Sequence, residues 1–357
     1  MLSSASAPLP ILIGDHFPDE GSGNRVLIPA MDKMPERPPS DQVLSLDGTS
    51  MGTTWQVRLV PPPGASLEGF RAAIEDELAR IIALFSPWVD DSEITRFNRA
   101  PAGRFDLSPD FFDVLAFSMD MADRTRGAVD PTLGALVDLW GFGPLGPRPS
   151  DDPLPATSEI AEALSVSGWQ KLALDAQALG AAQIGGMRLD FSGIAKGRAV
   201  DRVSERLSRM GATSHLVEIG GELKGCGVKP DGQPWWVEIE TVEGLDAPRT
   251  LAALYEIAVA TSGDWRKTFT HDGVAYSHTL DGATGRPVAN GVAQVTVFDA
   301  QAMRADALAT AFTVMGVPEA LSLASSMDVA AHFVVRTEDG LVEHMSPAFA
   351  AMLEDEA

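Results

Sequence analysis

Residues 188–219 read RLDFSGIAKGRAVDRVSERLSRMGATSHLVEI, and this stretch decides the fold class. Arg188 to Phe191 predicts a strand, and Ser192-Gly193 turns the chain into a helix from about Ile194 to Met210, ended by Gly211. His215 to Ile219 predicts the next strand. Strand, helix and strand in so short a span mean a mixed α and β protein. The same junction offers chemistry. The free N–H groups and positive end of a helix start, together with the Lys196 ammonium, can converge on an anion. Taken alone, such a segment more often marks a helix start with a solvated lysine.

Working outward, Trp55, Val57 and Leu59 alternate with polar residues in a half-buried strand that Pro61 to Gly64 end. Leu67, Phe70, Ile74, Leu78, Ile81, Ile82 and Phe85 share one face of a helix closed by Pro87. Ser108-Pro109 reads as an N-cap followed by proline at the first helical position, opening a helix that buries Phe112, Leu115 and Met119. Residues 141–156, rich in Pro and Gly, form a surface connection. Further strands are expected at Trp235 to Glu240, Leu254 to Ala260, Val274 to Leu280, Val292 to Phe298 and Ala330 to Arg336. Helices are expected near Arg304 to Met315 and Pro318 to Ser326. Residues 1–42 lack periodicity and are expected as an irregular extension. The absence of a fixed-period repeat argues against a solenoid or propeller.

The 357 residues carry 50 acidic and 27 basic side chains, a formal charge of -23 that repels nucleic-acid phosphates and anionic lipid. With one cysteine, Cys226, neither an internal disulfide nor a thiolate-rich metal site can form, so any metal takes oxygen or nitrogen ligands. No apolar run approaches the ~18 residues of a membrane helix, and no membrane span is expected. Met1 to Asp15 lacks a cationic start and holds only the short apolar stretch Pro8 to Ile13. The chain as written is therefore expected in the cytoplasm, or in the periplasm if a signal segment precedes it.

Glycines at 220, 221, 225 and 227 suggest a dinucleotide loop, but Pro230 stands where the last glycine is needed. Lys196 is followed by Gly197, without the Ser or Thr of a P-loop. Asp306 and Thr310 are four apart, so on a helix they present a carboxylate and a hydroxyl to one point, the hard oxygens that magnesium takes. The same pair also reads as a solvated helix face. His278 stands at a strand end before the turn DGATG (281–285), as a general base or as a hydrogen-bonded structural histidine. Trp88 is an indole placed for stacking or for the core, and Gly127 to Pro131 is a tight turn before a helix. Neither a Gly-x-Ser-x-Gly elbow nor a His-Glu-x-x-His pair is present, which leaves serine hydrolase and zincin mechanisms without support.

Eight segments together resemble the ApbE-like FAD:protein FMN transferases. They are Met51-Gly52-Thr53; Asp91 to Ile94 with Arg96-Phe97-Asn98; GAVDPTLGALVDLWGFG (127–143); LDFSGIAKGRAVD (189–201); VEIGGE (217–222); ATSGD (260–264); Ser277-His278 with Gly285 to Val288; and ADALAT (305–310). The resemblance implies a two-lobed α+β domain over residues 43–345, with FAD in the cleft between lobes, and a tail over 346–357. It implies Mg²⁺-dependent transfer of FMN from FAD to a Thr or Ser hydroxyl of an acceptor flavoprotein, releasing AMP. Asp306, Thr310 and the carbonyl of Gly193 match the family's metal positions, and His278 its general base. Met51, Trp88, Ala128, Val129, Asp130, Asp190, Lys196 and Leu280 match FAD-contacting positions. The chain departs from the pattern at Trp88, where tyrosine is common, and at Ala309, where some members carry another carboxylate near the metal. A Mg²⁺-dependent FAD pyrophosphatase giving FMN and AMP is the second reading. A non-catalytic FAD-binding protein is the third, and it sits poorly with the presence of both His278 and Asp306.

Overall fold

The structure is a computed structural model that describes residues 13–14, 24–30, 36–38, 40–149, 152–264 and 267–353. Its centre is a sheet of eight strands: β1 (Leu44–Ser50), β2 (Thr53–Val60), β3 (Ser214–Ile219), β4 (Glu222–Cys226), β5 (Ile257–Gly263), β6 (Val292–Asp299), β7 (Ala330–Thr337) and β8 (Gly340–Met345). They lie side by side in chain order, and every neighbouring pair is antiparallel. Antiparallel neighbours need no crossover, so long segments can enter between consecutive strands without disturbing the sheet. Between β2 and β3 come α1 (Leu67–Phe85), α2 (Glu93–Arg99), α3 (Pro109–Arg124), α4 (Gly134–Leu139), α5 (Thr157–Val166) and α6 (Ala195–Arg209). Between β6 and β7 come α7 (Ala302–Met315) and α8 (Val317–Ser326).

Successive strand residues point to opposite faces. Val57, Val217, Ala258, Ala260, Val295 and Val297 join a core with Leu78 of α1, Val203 of α6 and Phe312 of α7. Val60, Leu216, Leu223, Val259 and Phe298 face the other way, against Trp235, Val237 and Leu254 of a second sheet. With both faces covered, every residue from Val292 to Phe298 is buried, and the polar alternation of a half-exposed strand is lost there.

The second sheet corrects the picture of an irregular extension. Trp235–Ile239 pairs antiparallel with Thr250–Leu254, Ile13–Gly14 adds to one side, and Arg25–Leu27 lies parallel to Thr250, Leu251 and Ala252 on the other. Arg25 also grips Glu343 of β8 with two bonds of 2.6 and 3.0 Å. Those bonds, then one from His332, hold the Glu343 carboxyl down at about 2. Of the stretch Pro8 to Ile13, only Ile13 lies among the described residues. At the other end, Ser346 caps a helical turn over Pro347–Ala350, and Phe349 and Met352 fill the second core, so the expected tail is packed as far as Leu353.

Three expected strands differ. Arg188 to Phe191 has only one bridge, Leu133 to Arg188, because the Asp190 carboxylate accepts from the Ser192 N–H at 2.9 Å and curls the backbone. Leu254 to Ala260 is broken at Tyr255-Glu256, with Glu256 at φ 51°, and its halves belong to different sheets. Val274 to Leu280 stops at Ser277 and resumes as the short strand Leu280–Asp281. Nor does the Ser108 side chain cap α3: its hydroxyl donates to Glu93 Oε2 at 2.6 Å and its N–H to Oε1 at 2.7 Å. No helix among the described residues is long and apolar enough to cross a membrane.

A buried cluster beneath the sheet has a consequence for stability. His215 is 0% exposed, donates from Nδ1 to the Ala212 carbonyl at 2.8 Å, and takes a 2.8 Å bond at Nε2 from the Ser204 hydroxyl beside Cys226. Burial pushes its pKa down to about 4. The folded protein thus holds His215 neutral, while the unfolded chain takes up a proton below its ordinary value of ~6.5. Stability is full above that pH and falls by roughly 3 kcal/mol on going to pH 4. Urea unfolding at several pH values should show a steeper acid loss for wild type than for His215→Gln; parallel losses would remove His215 as the cause.

Candidate active site

The helix start named at the outset is built by close backbone approach. The Phe191 carbonyl accepts from the N–H groups of Ile194 and Ala195, which closes the turn into α6. Gly197 lies so near the first residue of α7 that a Cβ there would meet the Ala302 carbonyl oxygen at 2.3 Å. One turn further, the Asp201 carboxylate accepts from Ala302 N at 3.1 Å, Met303 N at 2.9 Å and Lys224 Nζ at 2.9 Å. Asp201 thereby caps α7, which gets no side-chain cap from Gln301. With α7 pinned there, buried Asp306 accepts from Gly197 N–H at 3.0 Å. Thr310 comes so near Gly193 that a Cβ on the glycine would lie 2.6 Å from its hydroxyl. Ser262 Oγ, from β5, is 3.5 Å from Thr310 Oγ1.

Thr310 therefore abuts Gly193, and Asp306 lies one turn earlier on α7 against Gly197, so a hydroxyl and a carboxylate both stand beside the backbone of the turn into α6. A magnesium ion suits such a set, since it takes few protein oxygens and keeps the rest of its shell for water and phosphate. Among the described residues no three or more His, Cys, Asp or Glu side chains stand together in a group that could hold a metal. Ala309 is buried in the main core.

Lys196 pairs with Glu222 of β4, whose side chain is 1% exposed and whose Oε2 has no hydrogen-bond partner among the described residues. Gly220 makes room for this pair, since a Cβ on it would lie 3.3 Å from Lys196 Cδ. Lys196→Met would strand the buried carboxylate and is expected to lower unfolding stability by about 2 to 4 kcal/mol. Lys196→Met with Glu222→Gln should recover most of that loss in thermal or urea melts; no recovery would show that the pair is not what stabilises.

His278 is held by a residue that no motif singled out. The Lys267 carbonyl accepts from His278 N–H at 3.0 Å and from ring Nδ1 at 3.2 Å. With Nδ1 donating, Nε2 carries the ring's lone pair. Phe142 packs edge-on against the imidazole at 6.3 Å. Burial, then the charge of Lys196, lowers the Lys267 pKa, with Asp190 opposing. Burial raises the Asp190 pKa, offset by its bonds to Ser192 and by Lys267. Both residues still reach solvent, Lys267 being exposed and Asp190 half-exposed. Lys267 thus feels the charges of both Lys196 and Asp190 across a partly solvent-exposed surface, hereafter the cleft.

Asp130 braces the cleft wall, accepting from Thr132 N at 2.8 Å, Thr132 Oγ1 at 2.7 Å and Trp169 N at 3.0 Å. Pro131 O accepts from Asp190 N at 2.8 Å, which joins this loop to the α6 start. Val129 is buried, and Ala128 packs on the same core. Leu280 is buried with Leu133, Leu136 and Trp140, and the turn after it is structural: the Asp281 carboxylate takes bonds from Ala283 N at 2.8 Å and Thr284 Oγ1 at 2.9 Å. Met51, at φ 51°, occupies the tight β1–β2 turn against the main core. Trp88 is 58% exposed at the turn after α1, where Ser92 Oγ bonds the Ser86 and Val89 carbonyls. Neither Met51 nor Trp88 is among the residues that these contacts join to Lys196, Asp190 and His278.

An antiparallel meander whose insertions gather carboxylate, hydroxyl, ammonium and imidazole around one cleft defines a group-transfer enzyme for anionic substrates. The ApbE family model matches residues 51–333, and this chain belongs to the ApbE family. The FAD:protein FMN transferase of Vibrio cholerae serotype O1 is 37% identical over 320 residues, 88% of this chain and 94% of that protein. The FAD:protein FMN transferase of Haemophilus influenzae is 35% identical over 322 residues, 88% and 92% of the two chains. The crystal structure of the Pseudomonas stutzeri flavinyl transferase ApbE, apo form, superposes with a TM-score of 0.81 at 37% identity, covering 89% of this chain and 98% of that one. The family and the α+β fold expected from the eight segments are thus confirmed.

Proposed function

We propose that this chain transfers FMN from FAD to a threonine or serine hydroxyl of an acceptor flavoprotein, with Mg²⁺ as the metal and AMP as the leaving group. The observation that carries the reading is Thr310 seated against Gly193, with Asp306 one helical turn before it and bonded to the Gly197 N–H, next to Lys196 and across from the Lys267–His278 hairpin. The transfer forms a bond from the acceptor oxygen to the FMN phosphorus and breaks the phosphorus–oxygen bond to the AMP half, which keeps the bridging oxygen. His278 Nε2 takes the hydroxyl proton, with the imidazole oriented through Nδ1 on the Lys267 carbonyl. Asp306, Thr310 and the Gly193 carbonyl would hold the magnesium ion, which when bound neutralises charge on the diphosphate oxygens. Asp130 and Asp190 shape the wall at which the flavin nucleotide binds, and Trp88 offers a stacking face. Incubation with FAD and Mg²⁺, with and without an acceptor domain, tests the reading by mass spectrometry. A protein adduct of FMN with equimolar AMP supports transfer; free FMN and AMP at the same rate without acceptor would make the chain a pyrophosphatase instead.

A further inference from the structure

Building on the proposed use of FAD, we propose that the ammonium of Lys267, rather than that of Lys196, binds the diphosphate of the flavin nucleotide. Two lysines face this cleft, and they are not equivalent. Lys196 is already paired with Glu222, and moving it onto a ligand would leave that carboxylate buried and alone. The Lys267 ammonium makes no hydrogen bond and has no carboxylate within ion-pair distance among the described residues.

Placement supports the same choice. Thr268–His271 pairs with Val274–Ser277, and the pair Thr268 with Ser277 puts Lys267 next in register with His278. The 3.0 and 3.2 Å bonds from His278 to the Lys267 carbonyl fix the root of the lysine side chain beside the proposed base. An ammonium rooted there is positioned for the phosphate at which the base-assisted attack takes place. The cleft's field agrees: Lys267 is held below an ordinary lysine by burial and by Lys196, and a bound dianion removes that penalty. A diphosphate therefore gains from Lys267 a charge-assisted contact for which, among the described residues, only the more distant charge of Asp190 competes.

The test separates phosphate recognition from flavin recognition. Titrations of the protein with FAD and with riboflavin, which lacks phosphate, are followed by flavin fluorescence for wild type, Lys267→Gln and Lys267→Arg. Lys267→Gln is expected to weaken FAD binding about 10- to 100-fold, the usual loss of one charged hydrogen bond, with riboflavin binding unchanged. Lys267→Arg should fall between. Unchanged FAD affinity in Lys267→Gln, or equal losses for FAD and riboflavin, would overturn the assignment. If wild type bound FAD but gave no FMN–protein adduct, the transferase reading would fail while the binding comparison still decided the role of Lys267. An adduct formed normally by Lys267→Gln at unchanged FAD affinity would do the reverse.

Discussion

His278→Asn should bind FAD as wild type does and transfer FMN about 10²- to 10⁴-fold more slowly, the usual contribution of a general base. The expectation follows from where the imidazole is anchored. Nδ1 and the backbone N–H both go to the Lys267 carbonyl, so the ring is held by the hairpin rather than by the flavin site. The wild-type rate should rise with pH and then level off as the imidazole loses its proton, because only the neutral ring accepts the hydroxyl proton. The variant should lose that rise. Weaker FAD binding with an unchanged pH profile at saturating FAD would make His278 a flavin-site residue and not the base.

Asp306→Asn is expected to lower transfer about 10²- to 10³-fold and to raise the magnesium concentration needed for half-maximal rate, since it removes the one carboxylate of the donor set. The asparagine oxygen can still accept from Gly197 N–H, so the contact between α6 and α7 survives and melting should change little. Asp306→Ala removes that acceptor as well and should cost about 1 to 3 kcal/mol of stability in addition, by leaving a buried N–H unpaired. Thr310→Ala should do less harm, because water can replace a hydroxyl ligand. A wild-type rate for Asp306→Asn throughout a magnesium titration would refute the assignment.

Much of this fold is written in local patterns. The α1 face from Phe70 to Phe85 and the alternation from Trp55 to Leu59 in β2 are recorded directly by a periodic pattern, although Leu67, expected on the same helix face, is exposed. The eight matched segments placed the family because each sits where the backbone or a charge is constrained, as at Gly193 and Gly197. What stayed hidden depends on partners distant in sequence. Arg25–Leu27 is a strand only because Thr250–Leu254 offers an edge to it, and Ser108 loses its capping role only because Glu93 reaches it. Lys267 had a signal that went unused. Asp272-Gly273, both at positive φ, is a preferred two-residue hairpin turn, and counting back from it sets Lys267 opposite His278.

The parallel pairing of Arg25–Leu27 with Thr250–Leu254 bears on how the chain is made. A ribosome delivers residue 25 long before residue 250, so this strand must wait, undocked, until most of the polypeptide has emerged. Its closure, sealed by the Arg25 grip on Glu343 near the other end, belongs among the last events of folding. Until then the Thr250–Leu254 edge has open backbone groups, a surface on which a neighbouring chain could template its own strand. Removing the leading segment would make that temporary hazard permanent, so a shortened protein that retained every residue of the cleft would still be prone to self-association.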